Sequence, residues 1–453
     1  MNAFFSFLET KLLPPLNKVA NLSFIRAIMQ AGIITVPFTI VGSIFLIINN
    51  LPQIIPPLAS LFESTILKFA PIYSVATTMS IGSLALFYSL GTAYFLTDIY
   101  RKEETKELSS FVGAVLGLFA FLMTIVQVDI GSDGAQLIQK TSDTAIIYNG
   151  VALGGWVTRF GGVGIFIGII TAILSTQIYR FCVKKNLTIR MPEGVPIGVS
   201  RAFASLIPAI LISVVMIGIN TGLAFFHTDL HGLLSKPFEF VKDLTGSWLG
   251  IVVIMLLIHL LWAVGVHGTA IIKNSFVNPI LLVALTENIN GSSNIFAGDF
   301  INMYIFIGGA GSTLGLVLLM IFVAKSDQLK ILGKTAILPG LFNINEPVIF
   351  GAPIVYNPYL IIPFIVTPIV NVTIAYFATD FGLVNKVITG IPWISPIGIG
   401  AFLGTGGDFR AILIAFLNLA VSIVCYYPFF KMYDGKLYTE QMAIKNEMGS
   451  TNG

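Results

Sequence analysis

The sequence predicts an all-α polytopic membrane protein with about ten transmembrane helices, re-entrant hairpins and amphipathic helices. Of its 453 residues, 55% are hydrophobic and only 10% are charged. The mean hydropathy is +0.89. Soluble domains carry roughly 25% charged residues, so this chain cannot be solvated on all sides. Apolar stretches near the roughly 20 residues needed to cross a bilayer also recur along it.

The apolar stretches can be placed in order along the chain. Residues 270–285 form a shorter candidate membrane-crossing segment, and residues 397–403 are too few to cross the membrane alone. Two apolar gaps, 51–73 and 336–356, are interrupted by prolines and are predicted to be interfacial or re-entrant. The clearest spans are 27–48, 74–96, 111–126, 161–181, 206–226, 249–266, 303–324, 359–378 and 412–430.

The basic residues predict the orientation in the cytoplasmic membrane through the positive-inside rule. If the basic segments are cytoplasmic, both termini are cytoplasmic and region 249–285 crosses twice. Residues 1–20 are amphipathic and lack a signal-peptide core, so the first span is expected to be retained. The basic segments are Lys11, Lys18 and Arg26 near the N-terminus, then 101–106, 180–201, 325–334 and the tail from Lys431.

Composition also argues against several classes of function. A net charge of +3 gives no case for nucleic-acid binding. Cys182 and Cys425 lie far apart at or inside apolar runs, which indicates neither a disulfide framework nor a metal site. The glycine-rich run 308–312 follows no strand and precedes no lysine, so helix packing is the preferred interpretation over a phosphate loop. No metal or cofactor is expected.

Glycines four residues apart predict close helix packing within the bundle, because small side chains let helix backbones approach in lipid. These pairs indicate packing and carry no information about a substrate. They are Gly113/Gly117, Gly164/Gly168, Gly218/Gly222, Gly311/Gly315 and Gly400/Gly404.

Segment 343–351 is the most informative part of the chain. It places Asn343, Asn345 and Glu346 directly before Pro347, between mostly apolar stretches. A charged side chain at membrane depth costs roughly 2.5–3.5 kcal/mol. Such a residue is therefore expected only where it has an ion-pair partner, contacts water or has a function. Pro347 disfavours a continuous helix through Glu346. We therefore expect a hairpin lining a substrate cavity; the alternative is that Glu346 caps a helix beside a loop.

Histidines and tryptophans complete the set of candidate site residues. His259 lies within an apolar run, where a ring bonded to a neighbouring helix is the default. Trp262 and His267 are offset by roughly 140° on a helix, so both line one pocket only if the helix unwinds between them. His267 is flanked by glycines, although it could also be structural. Trp393 lies in a proline-broken segment, where an interface anchor is the alternative.

Sugars explain this combination of residue types. A saccharide offers hydroxyls to carboxylates, carboxamides and imidazoles, and C–H faces to aromatic rings. Glu346, Asn343, Asn345 and His267 provide the first set of contacts. The second set comes from Trp262 and Trp393.

The chain resembles the membrane component (enzyme IIC) of the sugar phosphotransferase system, lactose/cellobiose/diacetylchitobiose family. The resemblance covers nearly the whole length and is carried by residues 5–18 with 25–39, 191–203, 262–268 and 343–351. It implies a homodimer with ten spans and two re-entrant hairpins that works as an elevator-type transporter.

The resemblance also implies roles for individual residues. Glu346 and His267 would hold the sugar hydroxyl that accepts phosphate, as catalytic groups, whereas Asn343, Asn345, Trp262 and Trp393 would line the same pocket. Residues 1–230, with about five spans, would form a scaffold and dimer contact. Residues 231–435 would carry substrate, and 436–453 would form a cytoplasmic tail. The first five spans contain few prolines and few buried polar residues, which independently indicates a division near residue 230.

The phosphate donor is not expected in this chain, because neither cysteine lies in an exposed glycine-rich loop. A separate phosphorylated IIB component, with IIA upstream, would bring it to a disaccharide bound in the membrane. The basic loops at 180–201 and 325–334 either dock this partner or only fix topology. Glu346 would act as a base or as a hydrogen-bond partner. The alternative function is an ion-coupled disaccharide symporter in which Glu346 carries a proton. The sequence does not distinguish among cellobiose, diacetylchitobiose and lactose.

Overall fold

The computed structural model describes most of the chain from residue 21 to residue 450. Four single positions before residue 21 are also described. The segments 5–18 and 193–196, which contribute to the family resemblance, lie largely or wholly outside the described residues. The described ranges are 21–49, 51–125, 128–131, 134–137, 147–148, 151–152, 159–161, 164–189, 191–192, 197–355 and 357–450.

Helices build the first half of the chain, and the strands described there are confined to two short antiparallel hairpins, β1–β2 and β3–β4. The predicted all-α architecture is therefore confirmed for the bundle itself. The elements are α1 Ser23–Asn49, α2 Leu51–Ile54, α3 Ala59–Ser64, α4 Ala70–Ser80, α5 Leu84–Glu103, α6 Ser110–Leu122, β1 Val128–Gly131, β2 Gly134–Leu137, β3 Ile147–Tyr148, β4 Val151–Ala152, α7 Ile165–Lys184, α8 Ile197–Ala204 and α9 Leu206–Ala224.

The second half contains more broken helices, including two π-helices, Thr269–Val277 and Ile301–Ile305. Two of its α-helices are only six residues long. The α-helices are α10 Leu230–Gly246, α11 Trp248–Ala263, α12 Asn278–Ile289, α13 Leu314–Phe322, α14 Asp327–Leu341, α15 Glu346–Gly351, α16 Ile361–Asp380, α17 Ile399–Gly404 and α18 Phe409–Ser450.

Within the described residues, six helices are long and apolar enough to cross a membrane. The shorter helices α6 and α11 are also apolar. Many of their large side chains, such as Phe111 and Leu413, are exposed, as expected for surfaces that face lipid. The six are Ser23–Asn49, Val75–Glu103, Ile165–Lys184, Ser200–Ala224, Ile361–Asp380 and Phe409–Ala443.

The buried apolar residues form one large cluster and several smaller ones. The large cluster runs from Ile251 to Tyr433, and Phe300, Tyr304 and Phe364 lie fully buried within it. Three of the smaller clusters draw mainly on residues 24–234. The second half therefore has its own contiguous core, which surrounds the broken segments.

The predicted span at 303–324 is wrong as a single helix. The structure has a π-helix at its start, a glycine loop at 306–313 and then α13. Gly308, Gly309 and Gly311 all have positive φ angles, and a Cβ at Gly311 would lie 2.2 Å from the ring of Phe364. The residues are apolar enough for a span, but their conformation requires glycine and bends the chain.

Polar side chains from α16 and α18 hold this glycine loop in place. Asn371 Nδ2 donates to Ser312 Oγ at 3.0 Å, and Tyr426 Oη donates to the Gly311 carbonyl at 2.8 Å. Asn418 Nδ2 donates to the Tyr304 carbonyl at 2.8 Å. The Gly311 carbonyl is thereby paired inside the protein, as polar groups of non-helical backbone at membrane depth must be.

The close helix packing predicted from paired glycines holds at some positions and fails at one. A Cβ at Gly117 would lie 2.3 Å from the Ala93 Cβ, so these helices approach closely. Gly218 and Gly222, in contrast, have no neighbouring atom within 4 Å among the described residues. That pair faces away from the part of the bundle that the structure describes.

Candidate functional site

A cavity of about 570 Å³ lies between the two halves of the chain. This volume falls within the roughly 300–1,000 Å³ typical of small-molecule sites. The first half contributes α1 and Tyr88, and the second half contributes all six residues that the sequence singled out as a site. Those six are Trp262, His267, Asn343, Asn345, Glu346 and Trp393.

The turn between α14 and α15 carries Asn343, Asn345 and Glu346 to the cavity. α14 ends at Leu341, and Asn343 adopts a left-handed backbone conformation with φ 62°. Asparagine tolerates this conformation better than most residues. Pro347 occupies the first turn of α15, where its missing N–H costs nothing. The predicted interruption of the helix before Glu346 is confirmed.

Asn343 connects three separate backbone segments through its side-chain amide. Its Oδ1 accepts from the backbone N–H of Gly308 at 3.0 Å. Its Nδ2 donates to the carbonyl of Trp393 at 2.9 Å and to that of Ser395 at 3.2 Å. Asn343 therefore positions the glycine loop and the tryptophan segment relative to the turn that precedes Glu346.

Asn345 fixes the same turn from its buried side and is only 4% exposed. Its Nδ2 donates to the Ala310 carbonyl at 2.6 Å and to Thr313 Oγ1 at 3.1 Å. A Cβ on Gly309 would lie 2.5 Å from Asn345 Cγ, so only glycine allows this approach. Both carboxamides thus serve backbone positioning as well as lining the cavity.

Glu346 is exposed to the cavity and lies at the first residue of α15. Its carboxylate makes no hydrogen bond or ion pair with the residues that the structure describes. It is near enough to His267 for the two side chains to interact electrostatically. A carboxylate with unmet hydrogen-bonding capacity in a cavity can accept hydrogen bonds from a ligand.

Trp262 and His267 meet because α11 ends between them, at Ala263. Gly265 turns the chain with φ 79°, and the two rings then lie 4.3 Å apart between centroids. Trp262 Nε1 donates to Thr269 Oγ1 at 3.2 Å, which orients the indole. The prediction that both residues share one pocket only if the helix unwinds is confirmed.

A contact at His267 indicates one tautomer of a neutral ring. Its Nδ1 lies 3.1 Å from the backbone nitrogen of Ala270, whose N–H also donates to the His267 carbonyl at 3.0 Å. When Nδ1 accepts this N–H, the proton of a neutral ring lies on Nε2, which is then an N–H donor. Glu346 and His267 then present an acceptor and a donor to the same cavity, which is a pairing suited to a hydroxyl group.

His259 is structural, as the sequence indicated by default. It is fully buried, and its Nδ1 lies 2.6 Å from the Met255 carbonyl. Its Nε2 accepts from the backbone N–H of Gly311 at 2.9 Å. The ring therefore joins α11 to the glycine loop.

Sequence reasoning missed several polar residues of the cavity. Lys273 and Asp299 have ionisable side chains, and Asn302 donates to Asp299 Oδ1 at 2.8 Å. The signal that could have revealed them was a charged residue within each of two apolar stretches, one near 270–285 and one near 295–306. The remaining polar side chains at the cavity are Thr35, Thr39, Tyr88, Thr269, Asn274 and Asn278.

The fold and the cavity define a multi-pass membrane protein with a polar, aromatic-lined chamber between its halves. The family model described as "Phosphotransferase system, EIIC" matches residues 29–368. The chain therefore belongs to the EIIC family of the phosphotransferase system, the membrane permease components that handle sugars in concert with a IIB partner. This family match gives no support to the alternative of an ion-coupled symporter.

Similar proteins agree with this assignment. The chain is 37% identical to the "PTS system cellobiose-specific EIIC component" of Geobacillus stearothermophilus, over 100% of both chains. It is 36% identical to the "Lichenan permease IIC component" of Bacillus subtilis (strain 168), over 97% of this chain and 96% of the relative. A crystal structure of ChbC, the IIC component of an N,N'-diacetylchitobiose-specific phosphotransferase system, matches with a TM-score of 0.84 and 34% identity. The match covers 96% of this chain and 99% of the ChbC chain.

Proposed function

We propose that this chain transports a disaccharide of the cellobiose, diacetylchitobiose or lactose type and presents it for phosphorylation. The observation that carries the proposal is the convergence of Glu346, His267, Trp262 and Trp393 on one cavity. The similar proteins are named for cellobiose, lichenan and diacetylchitobiose, which supports this substrate class.

In the proposed reaction, Glu346 and His267 hold the sugar hydroxyl that attacks the phosphoryl group. Glu346 accepts the hydroxyl hydrogen, as a base or as a hydrogen-bond partner, and His267 donates from Nε2. Phosphoryl transfer is achieved mainly by positioning and charge control, so a rigid cavity suits it. The indoles of Trp262 and Trp393 stack against the sugar faces.

The phosphoryl group comes from a IIB component on the cytoplasmic side, where both termini of this chain are proposed to lie. Cys182 is buried in α7, and Cys425 lies within α18, so neither suits a phosphoryl carrier. The negatively charged partner docks on the exposed lysines around α14 and α18, because charge complementarity favours the encounter. These lysines are Lys325, Lys330, Lys334, Lys431 and Lys436.

Transport uses an elevator-like movement of residues 231–435 against the scaffold 1–230, with about ten crossings in all. Two observations support this division: the large core cluster lies within residues 251–433, and α1 and Tyr88 line the cavity from the other half. Residues 436–453 then belong to the cytoplasmic tail.

The functional unit is a homodimer formed through the first half. Helix α9 supports this, because Gly218 and Gly222 have open space around them while Val214 and Ile217 are 60% and 56% exposed. A second copy could pack closely against this glycine-containing face.

Vectorial phosphorylation in proteoliposomes tests the proposed function. Phosphorylated IIB is enclosed in the lumen, and radiolabelled cellobiose, diacetylchitobiose or lactose is added outside. We expect one of these sugars to appear inside as its phosphate, and only when IIB is present. Accumulation of unmodified sugar without IIB, driven by a proton gradient, would contradict the proposal.

A further inference from the structure

Three buried oxygen atoms in the second half of the chain make no hydrogen bond to the described residues. They are Thr367 Oγ1, Asn371 Oδ1 and Asn418 Oδ1, and their side chains are fully buried. None of these residues lines the sugar cavity. A buried polar atom without a partner is costly, so three of them in one part of the core require an explanation.

The amide nitrogens fix the orientation of both carboxamides. Asn371 Nδ2 donates to Ser312 Oγ at 3.0 Å, and this hydroxyl itself donates to the Ile305 carbonyl. Asn418 Nδ2 donates to the carbonyl of Tyr304 at 2.8 Å and to that of Asn371 at 3.1 Å. Flipping either carboxamide would break these bonds, so both Oδ1 atoms are acceptors without a donor.

The three oxygens belong to one contact between α16 and α18. Thr367 and Asn371 are four residues apart on α16 and therefore lie on one face of it. The hydrogen bond from Asn418 to the Asn371 carbonyl places α18 against that face. Phe364 lies on the same face, and its carbonyl lacks the usual i+4 donor because Pro368 has no N–H. The contact therefore contains more acceptors than donors.

The neighbouring side chains use their hydrogens elsewhere. Ser422 Oγ donates to the Ser312 carbonyl at 2.5 Å, and Tyr426 Oη donates to the Gly311 carbonyl at 2.8 Å. The Cys425 thiol lies beside Thr367, outside hydrogen-bond geometry. The surrounding segments are also neutral, because residues 300–324, 361–379 and 411–430 include no Asp, Glu, Lys, Arg or His.

We propose that this cluster binds a monovalent cation, sodium or potassium, at a site separate from the sugar cavity. A water molecule has two hydrogens and meets at most two of the three oxygens, whereas a cation attracts the lone pairs of all of them. Neutral carbonyl oxygens replace the hydration shell of monovalent cations in membrane proteins. Divalent cations are usually held by carboxylates, which these segments lack.

The cation holds the glycine loop 306–313 against α16 and α18. Asn418 and Asn371 bond to Tyr304 and Ser312, which lie on either side of the loop's glycines. Gly309 of the same loop lines the cavity. Cation binding therefore stabilises the core behind the cavity wall. This inference does not depend on which sugar the protein transports.

Thermal unfolding of the full-length protein in nanodiscs, without sugar, tests the site. Sodium chloride or potassium chloride replaces choline chloride at constant ionic strength. We expect one of these salts to raise the melting temperature saturably, because a ligand of the native state stabilises it. Thr367→Val removes one oxygen that bonds to no described residue. It should raise the half-saturating salt concentration about fivefold or more.

Thr379→Val is the matched control, because Thr379 lies further along α16 and its Oγ1 donates to the Ala375 carbonyl at 2.9 Å. Its half-saturating salt concentration should equal that of wild type. If wild type has the same melting temperature in all three salts, the inference is overturned. It is also overturned if Thr367→Val responds to the salts as wild type does, since the hydroxyl is then not a ligand.

A structure of the wild type in the stabilising salt is the second measurement if Thr367→Val does not fold. A cation that contacts Thr367, Asn371 and Asn418 together would support the site. A water hydrogen-bonded to two of these side chains in its place would overturn it. Neither result bears on the proposed function, which vectorial phosphorylation tests separately.

Discussion

The side-chain amide of Asn343 donates a 2.9 Å hydrogen bond to the backbone carbonyl of Trp393, fifty residues further along the chain. This bond joins the turn that carries Glu346 to the proline-broken segment that carries the tryptophan. Since the same side chain also accepts from Gly308, one residue holds three irregular segments around the cavity. The site is therefore pre-organised by polar contacts between loops, which reduces the ordering cost of binding a sugar.

Removal of the Asn343 amide should loosen the site. We expect Asn343→Gly, which tolerates the left-handed backbone, to lower the free energy of unfolding by about 1–3 kcal/mol through lost hydrogen bonds. Asn343→Ala should cost roughly 1 kcal/mol more, because alanine is strained at positive φ. Thermal unfolding and sugar titration measure both effects. If Asn343→Gly kept the unfolding free energy and the sugar affinity of wild type, the Asn343 amide would not be needed to hold the segments together.

Glu346→Gln should preserve the fold and weaken function. The substitution keeps the size of a side chain that bonds to no described residue, so the melting temperature should stay near that of wild type. Loss of a charged hydrogen bond to the sugar should reduce binding or phosphorylation about tenfold or more. Isothermal titration calorimetry measures sugar binding, and an assay with phosphorylated IIB measures sugar phosphorylation. Unchanged phosphorylation would remove Glu346 from the mechanism.

Gly309→Ala should disrupt the site through a clash with Asn345. Its Cβ would lie 2.5 Å from Asn345 Cγ, and its φ of 97° is unfavourable for alanine. We expect a clear fall in melting temperature together with weaker sugar binding. Gly435→Ala is the matched control, because a Cβ at Gly435 would meet no other described part of the chain within 4 Å. Gly435 also lies inside α18, where alanine favours the helix. If the two variants had the same melting temperature and the same sugar affinity, the close approach of Gly309 to Asn345 would be refuted.

His259 should affect stability and not sugar recognition. His259→Ala leaves the Gly311 N–H and the Met255 carbonyl without their ring partner, which should cost about 1–3 kcal/mol for each buried group left unpaired. Sugar affinity of the folded protein should change by less than about threefold. His259→Gln retains a donor and an acceptor and should recover part of the stability. A selective loss of sugar binding at normal stability would give His259 a functional role instead.

Local signals explain the features that the sequence predicted well. The sequence predicted that Trp262 and His267 share a pocket only if the helix unwinds between them, and Gly265 provides that turn. The break before Glu346 followed from Pro347. In both cases, residues within one or two turns determine the backbone. The helical, multi-pass architecture followed from hydropathy alone, because a bilayer permits little else.

Other features depend on contacts between distant segments. The stretch 303–324 was predicted as a span because hydropathy averages over a bend, whereas the loop there is held by α16 and α18. Lys273 and Asp299 were missed because their proximity depends on how two broken helices pack. The roles assigned to Glu346, His267 and the tryptophans remain predictions, although their meeting at one cavity is a property of the fold.

The most direct test of the central claim is an experimental structure with the best-bound disaccharide. The account predicts the sugar in the cavity between the two halves, with one hydroxyl within hydrogen-bond distance of both Glu346 and His267. A pyranose face should pack on Trp262 or Trp393. A sugar bound elsewhere, with the Glu346 carboxylate contacting only water, would contradict the account.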